Sequence, residues 1–425
     1  MNVDYLVLRF EGPGGLPKAA RKATSRGSEL RSAASAELLG FESRLSSQGK
    51  MTAERIILSE KQAIVASKDS ANFVAPIMPV ALIEPCASID YGIASTINPI
   101  DLATKAKTSW GITEVGADRS SFTGQGVRVA VLDTGIAWKH TAFAGKTKLS
   151  RNFTNEGRAH DVTDRNGHGT HCAGTIFGQT IDDIRIGVAP GVQTALIAKV
   201  LDKLGRGTTE GVLRALQWAI AEKSNVISMS LGFDFPAMQE KLVDLGCPPK
   251  MATSRALKAY RENLRQFEAL IGFLLQEHSE SPGAVIAAAA GNESLRHIDP
   301  QLVIDASIPA AASTSIVSVG ALMRGQSGFT IAPFSNANPT MCAPGVDIVS
   351  AGHKGGLVAM SGTSMACPHV AGLAALWWES SAKNVGQASG SLVRAQLLAA
   401  ANPSGFAADI TIVDRGAGRA AAPHV

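Results

Sequence analysis

Six short apolar runs, separated by helical stretches, constrain this chain more than any other feature. VRVAVLD (127–133), VQTALIAKV (192–200), NVISMSL (225–231), AVIAAAAG (284–291), TSIVSVGAL (314–322) and DIVSAG (347–352) read as strands. Helical segments such as Glu210 to Glu222 lie between several of them. That alternation predicts an α/β fold, a central and mostly parallel sheet flanked by helices. The longest helical candidate is 251–278, where Tyr260, Leu264, Phe267, Ile271 and Leu274 form an apolar stripe at helical spacing.

The first hundred residues have a different texture. Asp4 to Phe10 is a plausible strand, and 17–47 carries Leu30, Leu38, Leu39, Phe41 and Leu45 at the spacing of a surface helix. Two short apolar runs follow, Arg55 to Ser59 and Gln62 to Ser67. In VAPIMPVALIEPCAS the prolines Pro76, Pro79 and Pro85 impose an extended path. The pattern divides the chain into a small α+β region over 1–86, a linker over 87–108 and a large α/β domain over 109–425.

Composition removes several classes. Hydrophobic residues are 45% and charged residues 18% of 425, enough apolar mass for a large core and against wholesale disorder. A net charge of +4 is too mild to indicate nucleic acid or an anionic membrane as partner. Five widely spaced cysteines, with no CxxC, argue against a disulfide scaffold and against a metal site. The opening MNVDYLVLRFEG lacks the basic start of a signal peptide, and no window is apolar enough to span a membrane. A cytoplasmic location is the expectation.

Four segments carry candidate chemistry. VRVAVLDTGI ends a strand at Asp133, where functional groups gather in parallel sheets, although a carboxylate there also serves as a turn or cap. NGHGTHCAGTIFG places His168 between glycines at a helix start, with His171 three residues on. Catalysis and packing both fit, and HxxH lacks the glutamate and spacing of HExxH. SGTSMACPHVAG opens a helix at Ser364, with Pro368 expected in its first turn; free N–H groups there suit an oxyanion, although the segment taken alone favours an ordinary serine cap. AVIAAAAGNES ends a strand at Gly291 and Asn292, a neutral donor or a simple turn.

Together, the order Asp133, His168, Asn292, Ser364 on an α/β chain is the Asp…His…Ser order of the subtilisin-type triad. The blocks VAVLDTGI, HGTHCAGT, SMSLG, AAAAGN and GTSMACPHVAG resemble the catalytic blocks of subtilisin-like serine peptidases, the subtilases, over about 110–422, and RGAGRAAAP resembles the usual close of that domain. The resemblance implies a subtilisin-like fold and a serine endopeptidase. In it Ser364 is the nucleophile, His168 the base and Asp133 its orienting partner; Asn292 and the Ser364 N–H form the oxyanion hole. Ser230, Leu231 and Gly232 pair with an extended polypeptide substrate as an added strand. Ala289, Ala290 and Gly291 wall the primary pocket, with Ser307 near its base and Glu293 at a rim that favours a basic residue.

The chain also departs from the family. The resemblance implies a strong calcium site, but Ala142 stands at one acidic ligand position and Ile181 where an Asn is common, so no metal or other cofactor is expected there; Asp182 and Asp183 leave a different calcium site open. An excess around 234–255 forms either a partner surface or a neutral insertion. Cys172 and Cys367 flank the candidate residues and read as buried packing groups. Residues 1–86 fit the family's propeptide, so the chain's own N-terminal segment is the expected inhibitor, with self-cleavage between 86 and 110. General turnover and dedicated processing of one precursor both remain open; the intact blocks argue against a pseudoprotease.

Overall fold

Residues 2–11, 43–45, 49–87, 98–276, 282–325 and 327–424 are described by the computed structural model. They group into two units, Met1–Met78 with Phe235–Ala269, and Pro79–Asp234 with Leu270–Val425.

The larger unit is built on the apolar runs. Its main sheet runs in the order Gly328–Ile331, Ile316–Gly325, Val285–Ala289, Val226–Met229, Arg128–Asp133, Thr194–Lys199 and Thr147–Asn152, with Met341–Pro344 also on Ile316–Gly325. Every pairing is parallel except that of Gly328–Ile331. The inner strands are buried along their whole length, as strands covered on both faces must be. Helix Thr363–Asn384 packs against Val285–Ala289 and Ile316–Gly325, and helix His168–Phe177 packs against it in turn. Leu373 and Leu376, fully buried on helix Thr363–Asn384, each contribute about 1.5–3 kcal/mol of apolar burial. Register sets Met229 beside Leu132 and Asp133 beside Lys199. The carboxyl ends of these strands therefore share one edge, where an open parallel sheet places its ligands.

Two expectations change. DIVSAG does not join the parallel sheet: Ile348–Ala351 pairs antiparallel with Leu357–Met360 as a separate hairpin, because the chain turns back within a few residues instead of crossing over through a helix. Pro368 lies six residues into helix Thr363–Asn384, past the first turn. Its missing N–H frees the carbonyl of Ser364, and the Cys172 thiol donates to that carbonyl at 3.3 Å.

The smaller unit holds an antiparallel sheet in the order Ser43–Leu45, Gly49–Ser59, Asn2–Glu11 and Asn72–Pro76. Helix Glu60–Ala66 follows strand Gly49–Ser59 and is opened by a capping box between Ser59 and Gln62. The surface helix expected over 17–47 lies mostly outside the described residues; at its end Ser43–Leu45 is a strand. The inserted residues form helix Phe235–Asp244 and the start of Pro249–Leu274. Ala252, Ala256 and Ala259 pack with Met238, Leu242 and Met78. Phe267, Ile271 and Leu274 of the expected stripe are buried, but Tyr260 and Leu264 are only half-buried. Asn263 and Gln266 occupy the buried face instead, and their amides meet the sheet's main chain. Asn263 Nδ2 donates to Pro76 O at 2.7 Å; Gln266 Nε2 donates to Leu6 O and Phe73 O, each at 2.9 Å. Buried amides are tolerable only with such partners. Among the described residues, no helix is long and apolar enough to cross a membrane.

Candidate active site

Asp133 ends its strand at the shared edge, 2% exposed, and its carboxylate meets His168 Nδ1 at 2.8 and 3.0 Å. It also accepts the N–H of Thr134 at 2.7 Å. His168 opens helix His168–Phe177. That helix can lie against the strand because residue 169 is glycine: a Cβ there would stand 2.3 Å from Gly135 O. Burial alone would push His168 down, but the charge and hydrogen bond of Asp133 outweigh it, and its pKa is raised above 6.5. His171, equally buried, has a main-chain carbonyl rather than a carboxylate as its partner, Ile348 O at 2.8 Å, and burial lowers it to about 3.

Ser364 is the second residue of helix Thr363–Asn384 and fully buried. Cys172 links it to the histidine, with its sulfur 3.7 Å from His168 Nδ1 and 3.3 Å from Ser364 O. Asn292 follows strand Val285–Ala289. Its Oδ1 accepts both the N–H and the hydroxyl of Thr363 at 2.8 Å, which turns its Nδ2 toward the site, where it donates to Glu84 O at 2.8 Å. Thr363 Oγ1 also receives the N–H of Gly291 at 3.1 Å.

Strand Pro79–Leu82 runs antiparallel to Leu231–Phe233, with Leu82 opposite Leu231 and Ala81 opposite Gly232, while Ile83 N–H donates to Ser230 O at 3.4 Å. Its other edge pairs with Arg206–Thr208. Ala289 and Ala290 are buried, and Ser307 donates its N–H and its hydroxyl to Ala290 O at 2.8 and 3.2 Å. The Glu293 carboxylate accepts from Asn336 Nδ2 at 2.6 Å and lies against Gly291, where an added Cβ would collide with it.

Two residues of this edge escaped the sequence reading. Asp164 is 4% exposed and gathers five donors: Thr134 Oγ1, the N–H groups of Asn166, Gly167 and Thr170, and Thr170 Oγ1, at 2.6–3.0 Å. Burial would raise its pKa, but these hydrogen bonds outweigh burial and hold it low. Lys199, with no exposed surface, donates to Thr134 O at 2.6 Å and pairs with Glu156 at 3.2 Å. Each left a trace: an Asp shortly before a glycine-flanked helix start, and a lone lysine in a buried strand.

Asp133, His168 and Cys172 also bring three metal-binding atom types within 4.8 Å. They do not suit a cation, because His168 Nδ1 is engaged by the carboxylate, while burial and the Asp133 charge keep the Cys172 thiol protonated.

Residues 124–418 match the family model described as the Subtilase family. This chain is a subtilase. It is 30% identical over 322 residues to a protein named subtilisin-like protease 6 from Trichophyton verrucosum, covering 73% of this subtilase and 65% of that relative. The proteins of the same name from Trichophyton rubrum and Trichophyton schoenleinii are 32% identical over 327 residues and 33% identical over 312. They are covered to 65% and 64% of their lengths, with 73% and 70% of this subtilase aligned. The subtilase thus spans just under two thirds of the length of these curated relatives.

Proposed function

We propose that this subtilase is a serine endopeptidase working through an acyl-enzyme. The observation that carries the reading is the buried Asp133–His168 pair beside a helix start holding Ser364, with the Asn292 amide fixed in one orientation by Thr363. Ser364 Oγ attacks the substrate carbonyl and yields its proton to His168 Nε2. Asp133 holds the other ring nitrogen and stabilises the charged ring without taking a proton. Asn292 Nδ2 and the Ser364 N–H receive the oxyanion. His168 then protonates the leaving amine, and water releases the acyl group by the same path. Asp164 and Lys199 are positioning residues, since both act through Thr134.

The substrate is an extended polypeptide laid between Leu231–Phe233 and Arg206–Thr208, read by main-chain pairing, with Ala289, Ala290 and Gly291 as pocket walls. The chain's own segment Pro79–Cys86 takes this position and acts as the inhibitor. The burial of Val80, Leu82 and Ile83 favours aliphatic side chains in the cleft.

The family's strong calcium site does not fit the residues present. Ala142 offers no ligand oxygen in its buried side chain, and the loop after helix His168–Phe177 is filled by a guanidinium. Arg185 donates to Gly187 O, Ala117 O and Val188 O at 3.0–3.2 Å, and Lys107 pairs with Asp183 at 3.6 Å. We therefore assign no calcium requirement to this loop. Five cysteines held as thiols support a reducing compartment inside the cell.

The test is labelling with a fluorophosphonate. Full-length protein bearing Leu82→Asp, which unseats the buried segment, is labelled at Ser364, and the same protein with Ser364→Ala is not. Absence of any Ser364 label would refute the peptidase reading.

A further inference from the structure

The segment occupying the cleft is held on both edges and past the serine. Leu82 N–H donates to Gly205 O at 2.8 Å, and Cys86 N–H donates to Ser361 O at 2.8 Å. A Cβ on Gly205, whose φ is +70°, would stand 2.8 Å from Leu82 Cβ, so this wall is cut to the segment's side chains. At the reacting groups the fit is split. Asn292 Nδ2 donates to Glu84 O, the carbonyl of the Glu84–Pro85 bond, whereas Ser364 Oγ donates to Ile83 O at 2.9 Å, one carbonyl earlier. Among the described residues nothing bonds His168 Nε2. The serine proton that would go to the base is spent on the segment.

We propose that Glu84–Pro85 is the bond this seat presents for attack and that Pro85 makes it one the site cannot turn over, so that Pro79–Cys86 stays as an uncut, built-in plug. The proposal deepens the peptidase reading and rests on it. Acylation at this bond would join Ser364 Oγ to the Glu84 carbonyl carbon and move the Oγ proton to His168 Nε2. The C–N bond to Pro85 would then break, with that proton passing to the ring nitrogen. A prolyl nitrogen carries Cδ where every other residue carries hydrogen. The departing nitrogen therefore meets the imidazole with a ring carbon crowding the path the proton must take. Ile83–Glu84, the alternative bond, has the serine hydroxyl on its oxygen and lacks the Asn292 donor. Activation then requires displacement of the plug or a cut outside 79–86.

Wild type, Pro85→Ala, Leu82→Asp and the matching Ser364→Ala doubles are incubated at full length and followed by intact mass, N-terminal sequencing and fluorophosphonate labelling. Wild type stays whole across 83–86. Pro85→Ala is cut on the carboxyl side of Glu84 about tenfold faster or more, only with Ser364 present, and its labelling rises in step. Cleavage of wild type at Ile83–Glu84 or Glu84–Pro85 as fast as Pro85→Ala overturns the proposal. So does an uncut Pro85→Ala when Leu82→Asp labels, which leaves the peptidase reading standing. If no variant labels, both fall together.

Discussion

The two ends of helix His168–Phe177 solve one problem with opposite charges. At its start a buried anion, Asp164, collects five N–H and O–H donors, among them the N–H groups of Gly167 and Thr170. In the loop beyond its end a largely buried cation, Arg185, collects three carbonyls. The anion at the start also matches the positive end of the helix dipole. Yet the proposed reaction assigns a reacting group, His168, to the first end and none to the second. Damage there should reach both rate and stability, and damage at the far end should reach stability alone.

The sharpest break is at the reacting corner. Asp133→Asn is expected to lower kcat by about 10⁴, roughly 5.5 kcal/mol of barrier. Its second effect is on the pH profile. The proposed mechanism requires a neutral His168, and Asp133 raises its pKa, so in the unplugged Leu82→Asp background kcat/KM falls with acid below a value above 6.5. In Asp133→Asn that limb moves to lower pH; a limb that stays put would break the link. Asp164→Ala strands five donors, four of them buried, and should cost about 3–5 kcal/mol in urea unfolding, together with a fall in kcat. The folded pKa of Asp164 is depressed, so its contribution is present above pH 3.8 and drains as the pH falls through its lower folded value. Arg185→Met should cost about 1–3 kcal/mol of stability with kcat intact. An equal loss of kcat there would erase the contrast between the ends. The smallest expectation is none: EDTA leaves Tm where it was, because a ligand that does not bind the fold adds nothing to it. A fall in Tm restored by calcium would return the metal to this loop.

Much of this was legible in the sequence because it is local. The apolar runs give the sheet, and the blocks around Asp133, His168, Asn292 and Ser364 lie at strand and helix ends that short patterns mark. What stayed hidden depends on distant partners. Asp164 reads as a turn until Thr134, thirty residues away, is seen bonded to it. DIVSAG has the composition of a sheet strand, and only the turn after it decides its partner. Pro368 was expected in the first turn because a proline deeper in a helix normally forfeits a hydrogen bond; a cysteine from another helix takes the carbonyl it leaves. Asn263 and Gln266 look like surface residues at helical spacing, and the sheet they cap cannot be seen from their own helix.

Those two amides have a consequence for how the smaller unit can change over generations. They grip Leu6, Phe73 and Pro76 through carbonyl oxygens, which every residue carries. The strands can exchange side chains at these points without loosening the grip, provided the backbone keeps its register. A slip of one residue would present N–H groups where the amides need oxygens. The helix therefore acts as a gauge of alignment, indifferent to the letters of the strands and strict about their position.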